Sequence, residues 1–310
     1  MKQLDENSSF YEQTTIYESS NYLLQIDEQK KKTQETVPQE DSGVMRNTVI
    51  DDGMKRLRTP LSERELYILK RTDERVNDCS ENDVLFTYKV RSLSRGSVRR
   101  LQGRKEWLND EIMNYYFTLL KKRNDLFNDS NSMDHQCKFF STWFYEKLMG
   151  RTNGKQSEYN YENVKNYTSR HVHDKTLFKS KMIFVPINVG SQHWICGAVD
   201  IDKKQIRIYD SFKKDRKECA QHLKMFMEEE ERQWEEADAN RVTENCWKIE
   251  TSHIETHPIQ NNGWDCGVYV CLFADFLSLQ LPLSFEEDDL SLVRQRMIIS
   301  FNDQFPICTG

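Results

Sequence analysis

None of the eight cysteines in this 310-residue chain forms a C-x-x-C pair. Cys79, Cys137, Cys196, Cys219, Cys246, Cys266, Cys271 and Cys308 lie far apart. That spacing argues against a zinc module or a dense disulfide scaffold, and reduced thiols of the cytosol or nucleus are the simpler expectation. No hydrophobic signal core opens "MKQLDENSSFYEQ", and the most apolar stretch, "VYVCLFADFLSL", is short for a membrane span and carries Asp275. No part of the chain is therefore expected to enter or cross a membrane. Positive charge is not in excess either: 44 Lys and Arg face 50 Asp and Glu, for a net charge of -6. A protein that wraps nucleic acid needs the opposite balance. The one basic stretch, "RSLSRGSVRRLQGRK", reads as a solvated helix or loop face in preference to a nucleic-acid adaptor. Internal repeats are absent.

What is present is a polar chain with a folded part. The hydrophobic fraction is 37% and the charged fraction 30%, with a mean hydropathy of -0.80. Residues 1–58 are rich in Gln, Glu, Ser, Asn, Asp and Lys, as in "DEQKKKTQETVPQEDSG", and are expected to be disordered. From "TPLSERELYILK" onward the pattern changes. Thr59 or Ser62 caps a helix there, and the folded domain is expected over 59–310. "WLNDEIMNYYFTLLKK" sets Leu108, Ile112, Tyr115, Tyr116, Leu119 and Leu120 at helical spacing, with Asn109 as cap and Asp110 and Glu111 in the first turn. "KMIFVPINVGSQHWICGAVDIDKKQIRIYDSF" reads as an antiparallel meander: a buried run, a turn at Gly190 and Ser191, a strand over 194–201, a polar turn at 202–204 and a strand over 205–209. "ECAQHLKMFMEEEERQWEEADAN" is helical, "CWKIE" a last strand and 266–279 an apolar helix. This mixture implies an α+β class with helices flanking a mostly antiparallel sheet.

Four residues stand in an order that suits nucleophilic catalysis. Cys266 follows the turn-forming "NNGWD" and opens a helix, whose positive end favours a thiolate. His193 starts one strand and Asp210 ends the next, so an antiparallel hairpin brings them together as a base and its orienting carboxylate. Gln260 precedes Cys266 closely enough for its amide to share an oxyanion with the Cys266 backbone N–H. Each has a plainer reading when taken singly. Cys266 suits a buried core, His193 a surface, Asp210 a turn and Gln260 an ordinary loop. Spacing alone leaves the two readings balanced.

The segments "WLNDEI", "IFVPINVGSQHWICGAVD", "IRIYDSF", "QNNGWDCGVYVCLFAD" and "FEEDDLSLVRQRM" together resemble the catalytic domain of the ubiquitin-like-protein proteases, the sentrin (SUMO) specific cysteine proteases, over about residues 59–310. The resemblance implies a papain-like cysteine protease fold with His193, Asp210 and Cys266 as triad and Gln260 as oxyanion donor. It also implies that Trp107 and Trp194 form a tunnel for the Gly-Gly tail of the modifier, and that Asp110 grips its globular body. Two indole faces clamp an extended backbone that lacks Cβ atoms, where any larger residue would clash. Without the resemblance both tryptophans read as core aromatics. Two departures stand beside the nucleophile: Ile259 where the family commonly has a second glutamine, and bulky Trp264 where it usually has a small residue.

The expected activity is cleavage after the terminal Gly-Gly of SUMO, releasing it from lysine isopeptides or maturing its precursor, without a cofactor. The alternatives are the same chemistry on a Nedd-type modifier or ubiquitin, and a catalytically silent binder of such modifiers. The partners are then the modifier and its conjugates, and the enzyme a monomer. His171 and His173 form an H-x-H pair, but lacking matching ligands they read as a surface loop and no metal is expected. The resemblance places the protein in the nucleus or nuclear envelope, with the cytoplasm as the alternative; no long basic targeting run accompanies it, only "KRLR" at 55–58.

Overall fold

The computed structural model describes residues 57–103, 105–129, 136–150, 158–167, 177–237, 246–251 and 256–308. The expected disordered region, apart from Leu57 and Arg58, and the loop with His171 and His173 lie outside them. All described residues belong to one unit, Asp52–Gly310.

Helix α1 (Glu63–Asp78) begins where Ser62 and Glu65 form a reciprocal capping box. A short hairpin follows, β1 (Val84–Tyr88) with β2 (Arg91–Ser94), and leads into α2 (Arg95–Gln102). These last two elements hold the basic stretch. It is docked on the core through Val98 and Leu101. Two of its arginines are engaged within the fold, Arg95 on the Val76 carbonyl and Arg100 on that of Trp107. Helix α3 (Asp110–Asp129) buries the apolar positions expected of it. Asn109 caps it by accepting the Ile112 N–H at 3.2 Å.

The central sheet runs β3 (Cys137–Phe139), β4 (Met182–Val189), β5 (His193–Asp200), β6 (Gln205–Tyr209) and β7 (Lys248–Ile249) in that spatial order. Its middle is the antiparallel meander read from the sequence. Both edges pair parallel, so the sheet is mixed. The two edge strands are 3 and 2 residues long, too short to carry a readable alternation.

Alternation across the strands sorts the core. Ile183, Val185, Ile187, Ile195, Val199, Ile206 and Ile208 join one cluster with side chains of α4 (Trp143–Leu148) and α5 (Lys217–Ala237). Gly197 faces the same way, and a Cβ there would lie 2.6 Å from a methyl of Leu223 on α5. The opposite face receives α6 (Cys266–Ser278), whose Phe273 meets Tyr209 at 5.4 Å between ring centroids. Helix α6 is apolar on every side and almost wholly buried, as a central helix must be.

Asp275, the lone charge in that helix, forms a buried ion pair with Arg123 of α3. Tyr116 also donates to Asp275 at 2.5 Å, and Arg123 reaches the Cys308 carbonyl at 2.5 Å. Together they lock α3, α6 and the last described residues. Helix α7 (Leu290–Asp303) closes the fold against α1 and α2. No helix among the described residues is long and apolar enough to cross a membrane.

Candidate active site

Four backbone segments converge on the amino end of α6. The first is the β4–β5 turn. Gly190 and Ser191 adopt φ +62° and +58°, the two left-handed residues that a tight, twist-matched hairpin turn requires. The turn returns the chain so that His193 is the first residue of β5, paired with Val189.

The second segment leaves β6 at Asp210. Its Oδ1 accepts from His193 Nε2 at 2.7 Å and from the Phe212 N–H at 2.8 Å. Its Oδ2 accepts from Arg216 Nε at 2.6 Å. Because the carboxylate can only accept, Nε2 carries a proton and Nδ1 is the nitrogen left for chemistry. Burial pushes the Asp210 carboxyl upward, but the bonds from His193, Phe212 and Arg216 outweigh it and hold the group below its usual range.

The third segment is the loop before α6. Asn262 Oδ1 accepts the N–H groups of Trp264 and Asp265, each at 3.0 Å, folding the loop back on itself. Arg294 of α7 binds buried Asp265 at 2.8 Å through Nε and reaches the carbonyls of Arg100 and Glu106. Cys266 then sits at the first position of α6, only 2% exposed. Its side chain acts on the His193 imidazole. Burial alone would lower the affinity of His193 for its proton, yet Asp210 and Cys266 raise it to about 9. The ring accordingly favours its charged form at neutral pH and stands between a carboxylate and a sulfur, the order that a cysteine nucleophile and its base require.

Gln260 is buried in the same loop. Its Oε1 accepts from Ser211 at 2.6 Å and its Nε2 donates to the Asn262 carbonyl at 2.8 Å. The Asn262 carbonyl, which can only accept, fixes which end of the amide is the donor. One N–H of that amide is left to serve an oxyanion.

The fourth segment is 105–109. Trp107 is 43% exposed, and its Nε1 donates to the Gly263 carbonyl at 2.7 Å. Trp194, beside His193, is 4% exposed and donates to the Leu108 carbonyl at 2.9 Å. Both tryptophans expected at a tunnel are thus tied to this segment and the nucleophile loop. Asp110 opens α3 a few residues on, partly exposed. Gly267 admits the segment: a Cβ there would lie 2.8 Å from Leu108 Cβ. Of the two departures, Ile259 is exposed. Trp264 lines a cleft with Leu101, Lys105 and Arg294, under the Lys105 ammonium at 5.4 Å.

Sequence reasoning missed Phe212, Arg216, His257 and Arg294. His257 is buried and its Nε2 donates to the Asp210 carbonyl at 2.9 Å, while the Phe212 ring stacks on His193 at 4.7 Å. Only Phe212 and Arg216 had a signal, closeness to Asp210 in the chain. Among the described residues no group of three His, Cys, Asp or Glu side chains is placed to hold a metal ion.

Comparison with known proteins agrees with this geometry. Residues 106–305 match the model of the Ulp1 protease family, C-terminal catalytic domain. Ubiquitin-like-specific protease 1A of Arabidopsis thaliana is 29% identical over 240 residues, covering 76% of this chain and 45% of that protein. Sentrin-specific protease 2 of Homo sapiens is 29% identical over 211 residues, covering 68% of this chain and 32% of that protein. The chain therefore matches less than half the length of these relatives. The yeast Ulp1 protease domain, solved in complex with Smt3, the yeast ortholog of SUMO, superposes with a TM-score of 0.59 at 23% identity over 78% of this chain and 95% of that one. The Ulp1-like SUMO protease catalytic domain of Chaetomium thermophilum gives 0.63 at 20% identity over 80% and 91%. The family model spans well over half of the 310 residues, and the chain belongs to the Ulp1 protease family.

Proposed function

We propose that this protein is a cysteine isopeptidase that cleaves after the terminal Gly-Gly of SUMO. The observation that carries the reading is the hydrogen bond between His193 and Asp210 beside Cys266 at the head of α6, whose side chain raises the proton affinity of His193. In the proposed reaction the Cys266 thiolate attacks the carbonyl of the modifier's last glycine. Gln260 Nε2 and the Cys266 backbone N–H hold the oxyanion. His193 gives its proton to the departing lysine amine, and then takes one from the water that releases the acyl-enzyme. Asp210 keeps Nε2 protonated throughout, so that Nδ1 is the exchanging nitrogen.

Trp107 and Trp194 are assigned to the walls of the diglycine channel and Asp110 to a contact with the modifier body. The catalytic domain is assigned to 59–310, to which buried Leu57 and Arg58, paired with Asp289, are joined. SUMO is preferred over other Gly-Gly modifiers because the relatives carry sentrin-specific names and one solved neighbour is held in complex with Smt3. The same kinship supports action in the nucleus or at its envelope.

The test is incubation with SUMO, ubiquitin and Nedd-type modifiers that each bear a C-terminal thiol-reactive group, with the adduct located by mass. A selective SUMO adduct on Cys266, lost in Cys266→Ala, is expected. An adduct with another modifier alone would replace the substrate, and no adduct with any of them would refute the enzymatic reading.

A further inference from the structure

Phe212 lies outside the set of residues that the proposed reaction uses, yet it is bonded to that set twice. Its N–H donates to Asp210 Oδ1 at 2.8 Å, the same oxygen that receives His193. Its ring stacks on the His193 imidazole with centroids 4.7 Å apart and planes 25° apart. A large aromatic that remains 40% exposed on a polar loop gains little from burial, so packing alone does not account for its place. Its face gives the imidazole a surface whose negative quadrupole favours the charged ring over the neutral one.

We propose that Phe212 is a positioning residue of the catalytic relay: its ring holds the His193 imidazole in line between Asp210 and Cys266 and stabilises the protonated form. The proposal rests on the cysteine-protease reading of the site. The stack restricts rotation of His193 about its side-chain bonds, which the single bond to Asp210 does not, since a ring swings about one hydrogen bond more freely than about a bond and a face. The other groups around the imidazole act with known sign. Asp210 and Cys266 favour its charge. Arg216, through Asp210, and Lys214, whose ammonium lies 5.9 Å from the Phe212 centroid, oppose it. His257 reaches Asp210 through the backbone carbonyl and not the carboxylate, and Asp265 is paired with Arg294.

Alkylation of Cys266 by iodoacetamide, followed by mass against pH in the full chain, reads the ion pair without any choice of modifier. Wild type is expected to be alkylated at Cys266 faster than at its other cysteines at neutral pH. Phe212→Ala is expected to lower the rate at neutral pH by about three- to tenfold and to move the basic limb of turnover down by about half to one pH unit, with KM nearly unchanged. Phe212→Trp restores both, whereas Phe212→Leu, which keeps apolar bulk without a π face, does not. Identical profiles in wild type and Phe212→Ala, or full rescue by leucine, would overturn the role of Phe212 and leave the site reading intact. A wild-type Cys266 no more reactive than a free thiol would overturn both.

Discussion

Asp210→Asn is the sharpest probe of the relay, because the carboxylate accepts from three donors and an amide cannot. In wild type Oδ1 serves His193 Nε2 and the Phe212 N–H, and Oδ2 serves Arg216. Asparagine keeps one acceptor oxygen and turns the other position into a donor. If its oxygen stays on His193 and Phe212, its NH2 faces the Arg216 guanidinium. If it turns to Arg216, its NH2 faces Nε2 and forces the proton onto Nδ1, where it blocks the acceptance of a proton from the thiol or water. Either arrangement also removes a full negative charge about 4 Å from the imidazolium, worth at most ~4 kcal/mol at an effective dielectric of about 20, or roughly three pH units. Since His193 is held at about 9 by Asp210 and Cys266 together, the basic limb of turnover is expected to fall by about one to three units. The rate at neutral pH should drop by roughly a hundred- to ten-thousandfold. The same linkage sets stability. The raised His193 stabilises the fold fully below its ordinary 6.5 and ceases to do so as pH rises through about 9; the lowered Asp210 stabilises it above 3.8 and ceases to do so as pH falls below that value. Initial rates on a SUMO-derived substrate with a fluorogenic Gly-Gly amide, from pH 5 to 10, and urea midpoints over the same range would measure both. A variant with an unmoved basic limb and a rate within threefold of wild type would refute the relay.

Two further predictions concern what holds the site. Arg123→Ala leaves Asp275 buried without its cation, and removal of one partner from a buried pair costs about 3–5 kcal/mol; a urea midpoint lowered by less than the equivalent of about 1 kcal/mol would mean that Tyr116 and the Cys308 N–H suffice. Gly267→Ala places a methyl 2.8 Å from Leu108 Cβ, so it is expected to cost about 1–3 kcal/mol and to slow turnover by displacing Trp107 and Trp194 together. Unchanged stability and turnover would show that segment 105–109 yields without consequence.

The meander and the main helices were legible because their physics is local. Periodicity located α3, β4 to β6 and α6, and Gly190 and Asn109 marked a turn and a cap that the backbone uses as expected. The pairing of His193 with Asp210 followed from hairpin geometry alone. Edge strand β7 falls in "CWKIE", read as the last strand, whereas β3 was not read; the parallel pairing of both edges was not legible, since their partners are chosen by long connections and not by their own few residues. His257 and Arg294 were illegible for a related reason. Each binds a backbone carbonyl or a carboxylate supplied by a distant segment, and nothing in its own neighbourhood announces the acceptor. The sequence likewise leaves Gln260 ambiguous. Its amide is held in place by Ser211, 49 residues earlier, which donates to its oxygen, and nothing near Gln260 in the chain announces that partner.

The anchoring of the two tryptophans has a consequence for how nucleophile and channel are coupled. Each indole spends its only polar atom on a backbone carbonyl, Trp194 on Leu108 and Trp107 on Gly263. An indole fixed at its N–H has its plane set, and what remains to meet a substrate is a π face. Leu108 follows Trp107 directly, and Gly263 lies three residues before Cys266, so the two anchors join the proposed channel walls to the loop that leads into Cys266. The contact of Leu108 with Gly267 closes that link from the other side of the thiol. A displaced wall therefore shifts the sulfur as well. Loss of the Trp107 anchor should appear first as a lower kcat, and only second as a raised KM, because the diglycine still enters a channel whose nucleophile no longer faces it squarely.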